Sequence, residues 1–401
     1  MKILHVDTGR EWRGGQRQVF FLQQGLTSRG IESLVVAHPK GSLYHRLADP
    51  KIPLPCRGEW DLPAAFRLAR ILKRVAPDIA HAHDAHAHTL LLLASSLLSA
   101  SSLFPASSLF PASSPLPAPS FKKKPHLVIS RRVDFHLGRS LWSKWKYQTP
   151  RIGKIITVSQ GIKDVLLQDG LAENKICVVH SGVMIRERPR PSDAGTARDA
   201  GIARGAQVRQ QLSIPAGARV LGCIANFADH KDHRTLLRVF QALAEKDENV
   251  YLLLVGDGPL YAAIRAESRR IPCSDRIIFT GYQEDVYPYL MSFDVFVLTS
   301  YLEGLCTSLI DSLVCAVPIV ASRTGGIPEV VQDGKNGFLV EVRDISGFVT
   351  AILRLLKDPP LYQAFQENCL ISAQHFSIEN MVNGTLEVYR QVATENGYPS
   401  L

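Results

Sequence analysis

KILHVDTGREWRGGQRQVFFLQQGLTSRGIESLVVAH, residues 2–38, sets the fold of the chain's first half. Its opening, KILHVDT (2–8), reads as a buried strand. After a glycine-containing loop, Gln16 to Ser28 places Val19, Leu22 and Leu26 on one helical face, and Gly30 supplies a stop. SLVVAH (33–38) is then a second strand. Strand, helix and strand at this spacing make a parallel βαβ unit.

The alternation recurs along the chain. A helix around Leu62–Val75 is followed by strands DIAHAH (78–83), LVIS (127–130), KIITVS (154–159) and ICVVHS (176–181). The second half restarts with RVLGCIANF (219–227), VYLLLVG (250–256), RIIFTG (276–281), DVFVLTS (294–300) and PIVAS (318–322). Helices fit between these strands at Arg234–Glu245, Leu260–Arg270, Val286–Met291 and Ser308–Ala316. The expectation is two doubly wound α/β domains facing a central cleft, with ligands at the carboxyl ends of the strands. The domains are expected over 1–185 and 212–377, joined by a linker rich in Arg, Pro, Ala and Gly over 186–211. A terminal helix over 378–401 is expected to pack back on the first domain. Within the first domain, ASSLFP, ASSLFP and ASSPLP (100–117) follow ASSLLS (94–99). Their prolines defeat a stable helix, so 94–120 reads as a low-complexity loop insertion without chemistry.

Composition narrows the class. A chain of 401 residues, 46% hydrophobic and 21% charged, is globular and long enough for two cores. No run approaches the roughly 20 apolar residues that cross a bilayer, and the N-terminal run is too short for a signal peptide. Seven scattered cysteines argue for reduced thiols in the cytoplasm and against a disulfide or zinc framework. Net charge is +9, and the cations cluster in FKKK (121–124), SRRVDF (130–135) and GRSLWSKWKYQTPRIGK (138–154). That mixture of Trp, Tyr, Lys and Arg suits an anionic membrane surface, with Lys144 and Lys146 as its charges, though a solvated basic face has the same composition. No nucleic-acid motif is present, so nucleic acid is not an expected partner.

EGLCTSLID (303–311) carries the chemistry. It follows a strand and opens a helix with Leu309, Leu313 and Ala316 on one face, ended by Pro318. Thr307 or Ser308 suits the N-cap, which leaves the amides near Cys306, Thr307 and Ser308 to bind an anion such as a phosphate. Asp311 lies four residues from Thr307 on the same face, where it accepts hydroxyls such as a ribose diol, and Glu303 is free to hold another polyol. Phosphate between two hydroxyl-binding acids describes a sugar nucleotide. A helix merely capped by Thr307, with an acid near its positive end, fits the same letters.

Residues 299–331, TSYLEGLCTSLIDSLVCAVPIVASRTGGIPEVV, resemble the donor-binding signature of retaining GT-B glycosyltransferases of glycosyltransferase family 4. The likeness continues through DGKNGFLV (333–340), LVGDGP (254–259), FTGYQEDVYPYL (279–290) and VVHSGV (178–183). It spans nearly the whole chain except the repeats and the linker. Two departures stand out. The second acid is Asp311 where the family usually has Glu, and the loop is Gly304-Leu305-Cys306-Thr307. In IANFADHKDH, Lys231 matches the family's diphosphate-gripping lysine, but Asn226 stands where arginine is usual and donates only neutral hydrogen bonds.

The resemblance implies that a sugar passes from a nucleotide diphosphate, UDP foremost, to a hydroxyl with retention, and that no metal or organic cofactor takes part. Lys231 and the amides of Leu305–Thr307 would take the diphosphate, Asp311 the ribose, Glu303 the transferred sugar, and backbone near Tyr282 the base. Gly15, in the Gly14-Gly15 loop, would let backbone approach the donor phosphate; an ordinary βα turn has the same glycines. In HAHDAHAH, His81, His83, His86 and His88 invite a metal reading, but their spacing gives no ligand set. His83 with Asp84 is placed instead at the active edge of the first domain. The family's histidine after the next strand is replaced by Arg131-Arg132, which makes Arg132 a catalytic candidate. The acceptor is expected to be a glycan or glycolipid of the lipopolysaccharide-core kind, and the chain cytoplasmic with peripheral contact at the inner membrane face. Two other functions share these motifs: a GT-B sugar-nucleotide 2-epimerase, whose acid and histidine set is not evident, and a non-catalytic nucleotide-sugar-binding protein, favoured by Asn226.

Overall fold

The computed structural model describes residues 1–99, 124–138, 141–185 and 194–395. The chain divides into two units, Met1–Gly182 with Ile378–Leu401, and Val183–Ser377. In the first, β1 (Lys2–Asp7), β2 (Glu32–Ala37), β3 (Lys51–Pro53), β4 (Ile79–Ala82), β5 (His126–Arg131), β6 (Ile152–Thr157) and β7 (Ile176–Val178) form a parallel sheet. Its order is β3-β2-β1-β4-β5-β6-β7. The second unit holds β8 (Arg219–Ile224), β9 (Val250–Val255), β10 (Ile277–Gly281), β11 (Val295–Leu298), β12 (Ile319–Ser322) and β13 (Gly337–Val340). They pair in parallel in the order β10-β9-β8-β11-β12-β13. Strand order therefore reverses between β1 and β4 in one sheet and between β8 and β11 in the other, where a doubly wound sheet opens a crevice at its carboxyl edge.

Helices cover both faces of the first sheet, which is why its strands are near-continuous apolar runs. On one face, the Leu62–Val75 helix buries Ala65, Leu68 and Leu72, and the Ala85–Ser99 helix adds Leu90 and Leu91. Asp61 starts the former by accepting from the Ala64 amide, with Pro63 in the first turn, where its missing amide hydrogen does no harm. On the other face, the Gly14–Thr27 helix packs beside the C-terminal helix Ile378–Thr394. Gly25 permits that approach, since a Cβ there would stand 2.5 Å from Cγ2 of Val382. Tyr389 is fully buried in the same layer, its hydroxyl 2.6 Å from Nδ1 of His81, and Lys154 meets Glu395 at 2.7 Å. The C-terminal helix is thus an integral layer of the first unit's core.

The sequence reading is corrected at two places. Ala194–Gln211, expected as part of an irregular linker, is an 18-residue helix of the second unit. Arg209 fixes it there, donating to Ser292 O at 2.8 Å and to Asp294 at 2.8 Å. ASSLLS (94–99), assigned to the low-complexity insertion, completes the Ala85–Ser99 helix, whose alanines and leucines favour it. The three hexapeptides and Phe121–Lys123 of FKKK lie outside the described residues. Among the described residues, no helix is long and apolar enough to cross a membrane.

Candidate active site

In the second unit, β8 and β11 bring Lys231 and Glu303 together across 72 residues of chain. After β8 the chain turns through Asp229–Lys231, and Asp232, at φ +46°, starts the His233–Ala244 helix by accepting from the amide and hydroxyl of Thr235. After β11, Ser300 donates to Oε1 of Glu303 at 2.8 Å, and the Gly326 amide donates to its carbonyl at 2.9 Å. Lys231 Nζ donates to the same Oε1. The two side chains are 13% and 7% exposed, so the pair is nearly out of water. Burial opposes the Lys231 ammonium, but the Glu303 charge outweighs it and holds the pKa above the ordinary lysine range.

The helix beside this pair runs over Thr307–Val314 and starts at Cys306, which corrects the expected cap at Thr307 or Ser308. No side chain caps it. The Ser308 hydroxyl instead donates to Ile224 O at 2.9 Å, tying the helix start to the end of β8. Amides of an uncapped first turn are donors waiting for an outside acceptor. Gly304, Leu305 and Cys306 line the approach as buried residues, and burial raises the Cys306 thiol above its usual range. Asp311 is 2% exposed and accepts from the Tyr287 hydroxyl at 3.1 Å, a partner that sequence reasoning missed. Asn226 lies against the glycine turn of LVGDGP, where a Cβ on Gly258 would stand 2.1 Å from its Oδ1. Tyr282 is 56% exposed just beyond β10, two strands from β8 in the sheet.

The first unit gathers a second group at its own switch point. His83 is buried just past β4, and Arg132, just past β5, places Nη2 3.4 Å from its Nδ1. A Cβ on Gly15 would lie 3.7 Å from Cδ of Arg132, so all three first-unit candidates converge. Asp7 joins them from β1, held by Gln16 Nε2 at 3.1 Å and by the Gly9 amide at 2.9 Å. Burial and the neighbouring Asp84 push Asp7 up to about 6. Burial brings Arg132 down to about 10, against the pull of Asp7 and Asp84. Arg131 points elsewhere: it donates to the Tyr147 hydroxyl at 3.0 Å and to Phe135 O.

The histidines regroup relative to their order in sequence. His5 pairs in register with His81 across β1 and β4, and His83 follows on the same face, so these three form the buried cluster. Their ligating atoms lie within 4.8 Å of one another. All six ring nitrogens have neighbours: His5 meets His83 at 2.9 Å and Ser33 at 3.1 Å, and His81 meets Tyr389 and Ser130. His88 is buried against Tyr147 on the Ala85–Ser99 helix, and His86 is exposed. Register between neighbouring strands was the signal for His5, and it exists only once β1 is known to lie beside β4.

Two doubly wound parallel-sheet units, each with polar groups collected at its strand-order reversal, define the GT-B class. The family description "Glycosyltransferase Family 4" matches residues 12–187, and "Glycosyl transferases group 1" matches 206–369. The chain belongs to glycosyltransferase family 4. N-acetyl-alpha-D-glucosaminyl L-malate synthase of Bacillus anthracis is 31% identical over 191 residues, 47% of this chain and 50% of that protein. The lipopolysaccharide core biosynthesis glycosyltransferase LpsE of Rhizobium meliloti is 32% identical over 196 residues, 47% of this chain and 56% of its own. The chain thus spans about half the length of the curated relatives it matches. Anabaena HepE, solved in complex with UDP-glucose, superposes with a TM-score of 0.77 at 19% identity, covering 97% of this chain and 99% of that one.

Proposed function

We propose that the chain transfers a glycosyl group from a nucleotide diphosphate sugar to an acceptor hydroxyl, with retention at the anomeric carbon. The observation that carries this is the buried Lys231–Glu303 pair beside the uncapped start of the Thr307–Val314 helix. The ammonium and the amides of Leu305–Thr307 hold the diphosphate, Glu303 and Asp311 hold hydroxyls of the sugar and ribose, and Tyr282 flanks the base. The acceptor oxygen bonds to the anomeric carbon as that carbon's bond to the diphosphate breaks. The acceptor proton passes to the departing phosphate, and a nucleoside diphosphate leaves. Lys231 and the helix amides act where negative charge grows, the largest electrostatic task in the reaction. That donor set needs no metal ion or organic cofactor.

The first unit takes the acceptor, with His83 and Arg132 as its polar contacts. HepE's complex with UDP-glucose supports a uridine donor. The relatives' names support an acceptor in cell-envelope glycan synthesis, of the lipopolysaccharide-core kind. A glycolipid acceptor brings the enzyme to an anionic membrane surface at its inner face.

A thermal-shift panel of UDP, GDP, ADP and their sugars tests the donor site. A ligand at 100 times its Kd stabilises the fold by about 2.7 kcal/mol. Incubation with the stabilising donor and candidate acceptors then tests transfer, and the anomeric proton coupling of the product reads retention. No stabilisation by any nucleotide refutes the reading. Isomerisation of UDP-N-acetylglucosamine without acceptor replaces it with epimerisation, and affinity without turnover replaces it with a binding protein.

A further inference from the structure

Three tryptophans of the first unit form one outward-facing stack. Ring centroids of Trp60 and Trp142 are 4.5 Å apart, and those of Trp142 and Trp145 are 4.8 Å apart with planes at 26°. Trp60 is 57% exposed and Trp145 46%. Leu62 is exposed two residues beyond Trp60, and Val133 and Phe135 are exposed on the loop leading from β5. Single exposed apolar side chains are ordinary, but an aromatic group of this size marks an interaction surface.

The scaffold beneath is rigid and accounts for the basic residues differently from composition alone. On the Leu141–Gln148 helix, Lys146 points inward, 5% exposed, and donates to Glu59 at 2.8 Å and Ala85 O at 2.7 Å. Tyr147 is buried beside it against His88 and Arg131. Residues 146 and 147 anchor the helix, and 142 and 145, one turn apart, present indoles outward. Lys146 is therefore a strut and not one of the two expected surface charges. Lys144 is exposed on the same helix, and Arg57 and Arg151 are exposed on adjoining segments. Of the cations over 130–151, Arg131 and Lys146 are buried and Arg132 faces His83, while Lys144 and Arg151 are exposed.

We propose that the Trp60–Trp142–Trp145 stack docks the chain on an anionic bilayer, with the indoles at headgroup level and Lys144, Arg57 and Arg151 meeting lipid phosphates. Indoles sit at this depth because their apolar body enters the acyl boundary while the N–H stays among acceptors. A sugar platform is less suited, because Trp142 and Trp145 turn their ring faces on each other. The exposed cations of these segments complement negative lipid and repel a basic protein partner. This inference deepens the reading of a membrane-borne acceptor, and it is tested without donor or acceptor so that each stands or falls alone.

The full chain is mixed with phosphatidylcholine vesicles, with and without phosphatidylglycerol, and followed by flotation and by tryptophan quenching with brominated lipid. Binding is expected only with the anionic lipid, with quenching at headgroup depth. Trp60→Ser or Trp145→Ser weakens partitioning about tenfold or more, and Lys144→Gln about fivefold. Nucleotide-induced thermal shifts of these variants stay as in the parent chain, which separates lost docking from lost folding or lost donor binding. The proposal is overturned if the variants partition like the parent. It is also overturned if anionic lipid makes no difference, if free oligosaccharide alone quenches the indoles, or if the tryptophan variants change only the oligomeric state.

Discussion

Replacing Lys231 with methionine separates what the lysine does for the fold from what it does for the donor. The side chains of Lys231 and Glu303 are 13% and 7% exposed, and Glu303 otherwise keeps the Ser300 hydroxyl near its carboxylate. Lys231→Met leaves that carboxylate buried without its cation, and breaking such a pair costs about 3–5 kcal/mol. Lys231→Met with Glu303→Leu removes both charges, fills similar volume, and recovers most of the loss. Donor binding behaves differently. Losing an ammonium contact to phosphate costs about 1.5–3 kcal/mol, roughly ten- to a hundredfold in affinity, and the double variant does not regain it. Urea unfolding without nucleotide measures the first quantity and titration with UDP the second. A single variant that loses under about 1 kcal/mol, or a double variant no more stable than the single, refutes the buried-pair argument. Unchanged UDP affinity refutes the donor role.

Other outcomes follow from the same contacts. Burial holds His5 down to about 3, and it lowers His81, His83 and His88 well below their usual value. Each binds a proton more readily unfolded than folded, so its contribution is complete above about pH 6.5 and is lost progressively as pH falls from there towards the lowered folded value, about 3 for His5. Asp7, raised to about 6, works in the opposite sense below that pH. His233, which burial holds down to about 4, joins the other histidines. Near pH 5 these five histidines against Asp7 give an uptake of roughly four protons on unfolding, about 5 kcal/mol per pH unit; an unfolding midpoint that stays flat between about pH 6.5 and 5.5 contradicts it. Asn226→Arg restores the family's usual guanidinium, and UDP affinity is expected to rise about tenfold or more, read by calorimetry; a fall shows that the Gly258 turn leaves no room for it. Tyr287→Phe removes the hydroxyl on Asp311 and is expected to weaken a ribonucleotide by about 1 kcal/mol, while a change in stability alone would make that contact structural.

Most strand positions were legible because parallel strands covered on both faces are written as unbroken apolar runs. β3 and β13 were not assigned as strands. β3, over Lys51–Pro53, is three residues long at a sheet edge, and β13, over Gly337–Val340, lies inside a motif quoted for another reason. The Ala194–Gln211 helix was hidden by its composition, since arginine, alanine and glycine read as a linker. Its hold on the second unit comes from Arg209 meeting Asp294, 85 residues away.

The same limit explains the site. Local letters gave the helix after Cys306 and both acids, because an uncapped helix and a carboxylate are properties of a few adjacent residues. They placed the cap one or two residues late, because Ser308, a good cap by type, is engaged by Ile224 O, 84 residues earlier. Lys231 and Glu303 were each found, but with separate ligands in view and not as partners. Their contact depends on β8 lying next to β11, a fact of sheet order and not of spacing. Charge pairing therefore adds a constraint that motif reading lacks. On the proposed reading, a donor would offer its diphosphate to a lysine already held by a buried carboxylate, and its sugar hydroxyls to a carboxylate already held by that lysine. Binding would then exchange one strong contact for two, which favours a ligand carrying both phosphate and hydroxyl groups over either group alone.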